Sequence, residues 1–490
     1  MRSHVLVSCI IAVVLVPAAF SAETSTPSFG KDIAPILYEK CATCHRPGEV
    51  APMSLMTYNE VRPWARAIKA KILARQMPPW YAEGEPGKWS NDRRLTQAQI
   101  DKVVAWVNAG APQGTDSVPA PPKFAQGWNH PSGAPPDLII EAPEMKVPAE
   151  GESPWQSVYV KLPIQDAWVA AAQVVPGNRA VVHHVLAMTV TLPPNALVDA
   201  EGRMKLAASS NQGREADPVA RAATPRSQPA GNTIPGGDGF SAGWEPGVDT
   251  AIVYGPGVAQ RLHGTHLSIN LHYQPNGHAT TDRTRIGLWF QKEPVAYAST
   301  GTGLGMGSET FIANGKELIG RYTAQVTVDV PPPGTKTVPD IAAGDDNYRL
   351  IQIVPIRQDM VLYSIQPHMH LRGRSMKYTA VYPDGREEEL LNVPHYDFNW
   401  QIIYEYAKPV NLPAGTTIRV DARWDNSVNN KYNPHPDQVV YWGEQSWDEM
   451  LSPILRAVVP LKEPIMPTAP VPAAVPVAVT APVPVVVAGR

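Results

Sequence analysis

The chain has few cysteines, and this scarcity removes one way of stabilising a protein. Only 3 occur among 490 residues, and Cys9 lies in an N-terminal segment that we expect to be removed. The remaining pair, Cys41 and Cys44, is too close in sequence to build a disulfide framework. A chain of this length can bury apolar cores without covalent cross-links. The sequence therefore predicts a mature protein without structural disulfides.

The sequence also lacks an excess of charge of one sign and a second long apolar run. The formal net charge is -3, from 42 basic and 45 acidic residues, which excludes the basic surface of a nucleic-acid binder. Beyond the N-terminus, no uninterrupted apolar run is long enough to span a bilayer. We therefore expect neither nucleic-acid binding nor a transmembrane span.

Residues 1–22 have the plan of a secretory signal peptide. Arg2 precedes an apolar run from Val5 to Val16, and small residues follow around Ala18. Cleavage near Ser21 or Ala22 would export the protein to the periplasm or the extracellular space.

Helical patterns occupy residues 23–115. Lys31 to Lys40 and Asn59 to Arg75 have helical spacing, and a third helix has clear end signals. Thr96 and Gln99 form a capping-box pattern, an apolar stripe follows, and Gly110 marks the end of the helix.

After a proline-rich linker at 116–136, the residue pattern changes from helical to strand-like. The regions 137–300 and 301–462 contain short β-branched and aromatic runs between Pro and Gly turns, which are typical of sandwich strands. The Pro/Ala/Val-rich residues 463–490 predict a semi-rigid extended tail.

The segment Cys41-Ala-Thr-Cys44-His45 predicts covalent haem c. Two thiols on one helical turn can each form a thioether to a haem vinyl group, and the histidine then reaches the iron. A zinc knuckle or a redox dithiol is the alternative, but the next histidine is the distant His130. For the sixth iron ligand, Met77 in Met77-Pro-Pro-Trp80 is the first candidate, and Met53 and Met56 are alternatives. With this motif, residues 23–115 have the size and helix plan of a small c-type cytochrome domain.

Two sets of histidines in the β regions are candidate metal ligands. His368 and His370 are two apart, so on a strand their side chains leave the same face. With the soft ligand Met450, they suit copper that cycles between two oxidation states. His183 and His184 are neighbours, and they can share an ion only if the backbone bulges or one imidazole uses its nearer nitrogen.

His272 could complete an all-imidazole site with His183 and His184. The alternative is one core histidine and one histidine that faces solvent. The other histidines of these regions are expected to be surface or hydrogen-bonding groups; they are His263, His266, His278, His395 and His435.

The ordered motifs Val182-His-His-Val185, Leu271-His-Tyr273, Pro367-His-Met-His370 and Asp448-Glu-Met450 resemble those of the copper type II ascorbate-dependent monooxygenases. That family includes peptidylglycine alpha-hydroxylating and dopamine beta-monooxygenases, and the resemblance spans about residues 137–462. It implies two all-β jelly-roll-like sandwiches that face a solvent cleft. The predicted fold class is therefore multidomain: a small all-α cytochrome c domain followed by two all-β jelly-roll-like sandwich domains.

The resemblance also implies roles for the ligands. The electron-transferring copper would be held by His183, His184 and His272, and the oxygen-binding copper by His368, His370 and Met450. A C–H bond of an organic substrate would be hydroxylated with molecular oxygen, and ascorbate or a redox protein would be the external electron donor. The expected substrate is a small-molecule or peptide-like compound.

Departures from the family pattern concern the substrate and the electron source. The family arginine two residues before the HxH pair is Gln366 here, and Ser452 and Ile454 replace an asparagine and a tyrosine. A peptidyl-glycine substrate is therefore not expected. The attached haem suggests that it replaces or supplements ascorbate as the donor. The alternative function is a haem c/copper electron-transfer or binding protein that inserts no oxygen.

Overall fold

A computed structural model describes most of the chain. It covers residues 26–125, 127–151, 156–164, 166–192, 196–206, 239–300, 309–324, 334–443 and 445–467. The predicted signal peptide at residues 1–22 and residues 468–490 of the predicted tail lie outside the described residues.

Helices in the described part are confined to its N-terminal region. A π-helical turn at Phe29–Ile33 and a 3-10 turn at Arg62–Trp64 accompany four α-helices: α1 Ala34–Lys40, α2 Tyr58–Val61, α3 Ala65–Leu73 and α4 Gln97–Asn108.

Strands make up the rest of the regular structure. In the first β region they are β1 Leu138–Glu141, β2 Met145–Val147, β3 Gln156–Lys161, β4 Asp166–Val175, β5 Val182–Val190, β6 Ala196–Val198, β7 Met204–Leu206, β8 Ser241–Trp244, β9 Ile252–Val253, β10 Val258–His263, β11 His266–Tyr273, β12 Thr280–Asp282, β13 Arg285–Phe290 and β14 Val295–Ser299. In the second they are β15 Glu309–Ala313, β16 Lys316–Thr323, β17 Lys336–Thr337, β18 Tyr348–Pro355, β19 Met360–His368, β20 Gly373–Val381, β21 Glu387–Val393, β22 Tyr404–Leu412, β23 Thr417–Trp424 and β24 Ser452–Ile465.

The predicted fold class, a small all-α cytochrome c domain followed by two all-β jelly-roll-like sandwich domains, is wrong. The described residues are mostly β, with 40% in strands against 11% in helices, and their short helices do not build a cytochrome-like all-α domain. Prolines are one physical reason, because proline cannot continue a helix. Residues 74–96, which contain Pro78, Pro79 and Pro86, form no helix.

Part of the expected helical domain belongs instead to a β core. Trp80, Ala82 and Trp89 are buried in the same hydrophobic cluster as Tyr404 and Leu455 of the second β region. The backbone of residues 88–90 pairs with the edge of β22: Ser90 N–H donates to Glu405 O at 2.8 Å, and Ala407 N–H donates to Lys88 O at 3.0 Å. This segment therefore ties the N-terminal region to the sheet.

The best-marked helix of the sequence is confirmed. Helix α4 begins after Thr96, and the reciprocal Thr96–Gln99 capping box is present. Gly110 follows its end with φ +87°, a left-handed conformation that glycine adopts without steric cost. Trp106 of this helix is buried in a small hydrophobic cluster together with Phe29 and Leu37.

One long sheet runs through both β regions. Its nine strands follow the order β1, β13, β4, β10, β14, β24, β19 and β22, with β9 attached to β4. In the first β region, the sheet β3-β11-β5-β8 and the long sheet enclose one hydrophobic core. In the second, the sheet β17-β16-β15-β18-β23-β20-β21 and the long sheet enclose another. Pairing of β14 with β24 joins the two regions. The two β regions therefore share a continuous sheet, and both candidate ligand sets belong to this unit.

In the part of the chain that the structure describes, no helix combines the length and apolar character needed to cross a bilayer.

Candidate metal centres

His183 and His184 reach one point because strand β5 carries a bulge. In the pairing of β5 with β11, His184 lies opposite His272 and Val182 lies opposite Tyr273, so His183 is the extra residue. A regular strand sends neighbouring side chains to opposite faces, whereas a bulge re-aims one of them. The backbone bulge that a shared site requires is present.

The three imidazoles meet through their Nδ1 atoms. Nδ1 of His183 lies 3.0 Å from Nδ1 of His184 and 3.1 Å from Nδ1 of His272. Metal–imidazole bonds of about 2 Å would separate three ligand nitrogens by roughly 3–3.5 Å. The three predicted ligands therefore form a cluster with the dimensions of a metal site, which we call the histidine triad.

Hydrogen bonding and burial keep the triad ready to bind a cation. His183 Nε2 lies 3.0 Å from the carbonyl oxygen of Asn399, so Nε2 carries the proton and Nδ1 keeps its lone pair. Burial lowers the pKa of all three histidines, and neighbouring imidazoles lower those of His184 and His272 further. The pKa of His272 falls to about 3. Neutral imidazole is the form that binds metal.

His368 and His370 form a second set at the end of β19. Their ring centroids lie 5.1 Å apart. His368 Nδ1 donates to Gln401 Oε1 at 2.6 Å, and His370 Nδ1 donates to Asp448 O at 3.3 Å. Both Nε2 atoms therefore keep their lone pairs. His370 Nε2 is buried and has no hydrogen-bond partner among the described residues, which is costly for a polar atom unless it binds a ligand.

Strand register and one carboxylate place the backbone of Met450 near that of this pair. His368 lies opposite Ser452 in the pairing of β19 with β24, and Met450 precedes Ser452 by two residues, in the segment that leads into β24. Oε2 of Glu449 accepts the backbone N–H of His370 at 3.1 Å and that of Met450 at 3.2 Å. Met450 is buried. We call His368, His370 and Met450 the His/Met set.

Glu449 is fully buried and organises this corner of the molecule. Its Oε1 accepts the N–H of Arg372 at 2.7 Å, and its Oε2 accepts Nε1–H of Trp424 at 2.8 Å. Burial raises its pKa to about 7, while the Arg372 backbone and guanidinium pull it down. Sequence reasoning missed this role, although the acid stands beside Met450, and it also missed Gln401 and Asn399, which lie in a loop without a pattern.

Burial also lowers the pKa values of the second pair. The pKa of His368 falls to about 4, although its hydrogen bond to Gln401 opposes the shift, and that of His370 falls well below its usual value. Both rings are neutral near pH 7. Ligands whose second nitrogen donates to a carbonyl or amide oxygen are held in one tautomer and one orientation, which is the usual outer shell of a protein metal site.

Cys41, Cys44 and His45, the residues of the predicted haem motif, lie on one turn of the chain. Cys44 N–H donates to Cys41 O at 3.1 Å, and His45 N–H donates to the same oxygen at 2.9 Å, so the three residues share one turn. His45 Nδ1 donates to Met53 O at 3.2 Å, which leaves the lone pair on Nε2. A Cβ at Gly247 would lie 3.0 Å from Nη1 of Arg93 and 3.2 Å from Sγ of Cys44, so the chain at Gly247 packs closely against both side chains.

Both cysteines are unpaired thiols. Burial raises the pKa of Cys41 to about 12 and that of Cys44 to about 11. These raised pKa values favour the protonated thiols near pH 7.

The candidates for the sixth iron ligand occupy different surroundings. Met53 packs against the N-terminal cluster that contains Cys41. Met56 offers its carbonyl oxygen to the hydroxyl of Tyr38 at 2.7 Å. Met77 follows helix α3 and is half-buried.

The other histidines of the β regions are exposed or half-buried. His263, His278, His395 and His435 are exposed, and His266 is half-buried with Nδ1 2.9 Å from the Thr265 hydroxyl.

Comparison with known proteins adds no family. No family model matches the chain, and neither does any curated protein. Among solved structures, the uncharacterized protein lmo2446 from Listeria monocytogenes is 12% identical over 40% of this chain and 14% of its own, with a TM-score of 0.15. The tandem CBM22 domains of Paenibacillus barcinonensis Xyn10C are 10% identical over 63% of this chain and 79% of their own, with a TM-score of 0.14. Likenesses this weak bear on neither fold nor function.

Proposed function

We propose that this protein is an exported copper-dependent monooxygenase that hydroxylates a C–H bond of an organic substrate with molecular oxygen. One copper ion would bind the histidine triad and a second would bind the His/Met set. Electrons would arrive one at a time through haem c attached at Cys41 and Cys44, with ascorbate or a redox protein as the external donor.

The observation that carries this proposal is the difference between the two ligand sets. The triad offers three Nδ1 atoms around His183, whereas the second pair is oriented to offer Nε2 atoms, and the backbone of His370 shares the Glu449 carboxylate with that of the thioether residue Met450. Copper held by imidazoles alone and copper with a thioether ligand favour different redox behaviour, because sulfur stabilises the reduced ion. Two unlike sites suit a division between electron storage and oxygen chemistry.

The surrounding residues contribute orientation and proton placement. Asn399 O and Gln401 Oε1 each accept an imidazole N–H and thereby fix the tautomers of His183 and His368. Glu449 ties the backbone of His370 to that of Met450. When bound, copper would supply one-electron redox chemistry and oxygen activation, while these residues hold the ligand atoms in place.

An ionic link supports electron supply from the N-terminal segment. Arg46, next to His45, pairs with Glu49 at 2.7 Å and with Asp249 at 3.0 Å. Arg179 pairs with the same two carboxylates and stands shortly before His183 in the chain. We call Arg46, Glu49, Arg179 and Asp249 the ion cluster. It joins the proposed haem segment to the strand that carries the triad.

Copper per haem in the mature, copper-reconstituted protein is the test of the cofactors. Elemental analysis should give two copper ions per haem. His272→Ala and His370→Ala should each retain one, whereas His266→Ala, on the same strand as His272, should retain two.

Oxygen insertion is then tested with isotope-labelled oxygen gas and a panel of organic substrates. Label in an alcohol product, lost in both one-copper variants, would support the monooxygenase. Fewer than one copper per haem would overturn it. Two coppers with electron transfer but no label in any product would favour the electron-transfer alternative.

A further inference from the structure

One loop touches both ligand sets. Residues 396–401, between strands β21 and β22, form what we call the bridging loop. Its Asn399 carbonyl accepts from His183 Nε2 at 3.0 Å, and its Gln401 side chain accepts from His368 Nδ1 at 2.6 Å. A loop of the second β region therefore contacts a ligand of the first region as well as one of its own.

The aromatic ring of the loop lies between the two sets. The centroid of Phe398 is 6.3 Å from that of His183, 6.1 Å from that of His272 and 6.1 Å from that of His370. The centroids of His272 and His370 are therefore no farther apart than twice 6.1 Å. Phe398 is largely buried, at 7% exposed, so this side chain fills space between the sets.

Further hydrogen bonds hold the loop at the second set. Gln366 Nε2 donates to the carbonyl of Gln401 at 3.0 Å, and Gln401 Nε2 donates to the carbonyl of Phe398 at 3.4 Å. The hydroxyl of Tyr396 donates to Met369 O at 2.7 Å and accepts from Met369 N–H at 3.1 Å. Met369 stands between the two histidines of the HxH pair, so loop and ligands form one network.

The other end of the loop is also constrained. Asp397 Oδ1 accepts the backbone N–H of Asn399 at 3.0 Å and its side-chain amide at 2.9 Å, and Trp400 N–H donates to Asp397 O at 2.9 Å. These bonds fix the turn that aims the Asn399 carbonyl at His183. A short covalent route, from the Asn399 carbonyl through Trp400 to the Gln401 side chain, then connects the two imidazoles.

We infer that the bridging loop is a positioning element shared by the two metal sites: it orients His183 and His368 together and holds the triad and the His/Met set as one unit. This inference rests on the proposed copper function. It differs from two sites that face each other across open solvent, because the contacts of Phe398, Asn399 and Gln401 fill and tie the space between them. Electron exchange between the two copper ions would use this fixed geometry, with one ion oxidised and the other reduced.

Gln401 provides the sharpest test of positioning. In the His272→Ala background, where only the His/Met set binds copper, Gln401→Leu should weaken Cu(I) binding about 10- to 100-fold, the usual effect of losing an outer-shell partner. Gln401→Glu should restore the affinity, because a carboxylate also accepts from His368 Nδ1. The control is Gln291→Leu, which replaces a half-buried glutamine distant in sequence from Gln401; it should leave the Cu(I) affinity unchanged. Competition with a chromophoric Cu(I) chelator measures each affinity.

The shared character is tested with Phe398→Ala. The EPR spectrum of Cu(II) should change both in the His272→Ala background and in the His370→Ala background, which isolate the two sites, whereas Gln401→Leu should alter only the His/Met set. Pulse radiolysis without substrate measures the rate at which one electron moves between the two copper ions. This rate should be lower in Phe398→Ala than in the wild type.

The outcomes separate the inference from the proposed function. Unchanged copper affinity in Gln401→Leu, or an EPR change at only one site in Phe398→Ala, would overturn the inference even if the wild-type protein inserts oxygen. Conversely, a wild-type protein that binds two coppers but inserts no oxygen would end the monooxygenase proposal and leave these binding and EPR results standing. If Gln401→Leu does not fold as judged by thermal unfolding, Gln401→Ala, which adds no apolar bulk, replaces it.

Discussion

At the scale of single residues, the buried histidines should make the copper-free protein sensitive to acid. Burial lowers the pKa of His368 from 6.5 to about 4 in the folded protein. Between pH 6.5 and pH 4 the unfolded chain therefore binds a proton at this histidine that the folded chain does not. The contribution of His368 to the free energy of unfolding is complete above pH 6.5 and is lost as the pH falls towards 4. Between pH 7 and pH 5 this one group should cost about 2 kcal/mol.

The measurement compares apoproteins. The free energy of unfolding in urea should fall more steeply between pH 7 and pH 5 for the wild type than for His368→Gln, which cannot titrate at this position. The difference between the two proteins should change by about 2 kcal/mol over this interval. A difference that is independent of pH would show that His368 is not held neutral by burial.

The sequence predicts which histidines lie together, and it does not predict their hydrogen-bond partners. Alternation along a strand predicts that His368 and His370 share a face, and the structure has their rings 5.1 Å apart. Asn399, by contrast, contributes a backbone carbonyl, which every residue type carries. Its role depends on where the loop lies, and no local pattern states that. Gln401 is missed for the same reason.

At the scale of elements, the segment around Trp89 should stabilise the edge of β22. Trp89 is only 2% exposed, and its ring lies 4.7 Å from Tyr406 and 5.5 Å from Tyr404. Replacing a buried tryptophan by alanine removes its contacts and leaves a cavity. Trp89→Ala should therefore lower the free energy of unfolding by about 3–5 kcal/mol and speed hydrogen exchange in β22.

Trp64→Ala is the matched control for this prediction. Trp64 is 44% exposed, so its loss should change stability by less than about 1 kcal/mol. Equal effects of the two substitutions, or unchanged exchange in β22, would mean that residues 88–90 do not support the strand.

Elements with local signals were predictable, and their assembly was not. The capping box of Thr96 and Gln99 defines helix α4 through contacts within four residues. The bulge at His183 could be stated only as a condition for metal binding, because it depends on the register between β5 and β11. The pairing of β14 with β24 joins residues far apart in the chain, and strand alternation alone carries no information about such partners.

At the scale of the whole molecule, the prediction of an independent all-α domain failed because the N-terminal region makes its contacts elsewhere. Helical spacing in Asn59 to Arg75 is reproduced by short helices, yet Trp80 and Trp89 pack into a β core. Sequence patterns report which face of an element is apolar, and they do not report what covers it.

The ion cluster should hold the Cys41–His45 segment on the β unit. Asp249 pairs with both Arg46 and Arg179, and the side chains of Arg46 and Glu49 are only 8% and 5% exposed. Removing one member of a buried ion pair leaves uncompensated charge and costs up to about 3–5 kcal/mol. In Asp249→Asn we therefore expect lower stability, faster hydrogen exchange at residues 41–50 and slower reduction of the triad copper by reduced haem.

Asp166→Asn is the control: it breaks the pair with Arg261, in which the carboxylate is 50% exposed, and it should lower the free energy of unfolding by no more than about 1 kcal/mol. If exchange at residues 41–50 is the same in both variants, the ion cluster does not dock this segment.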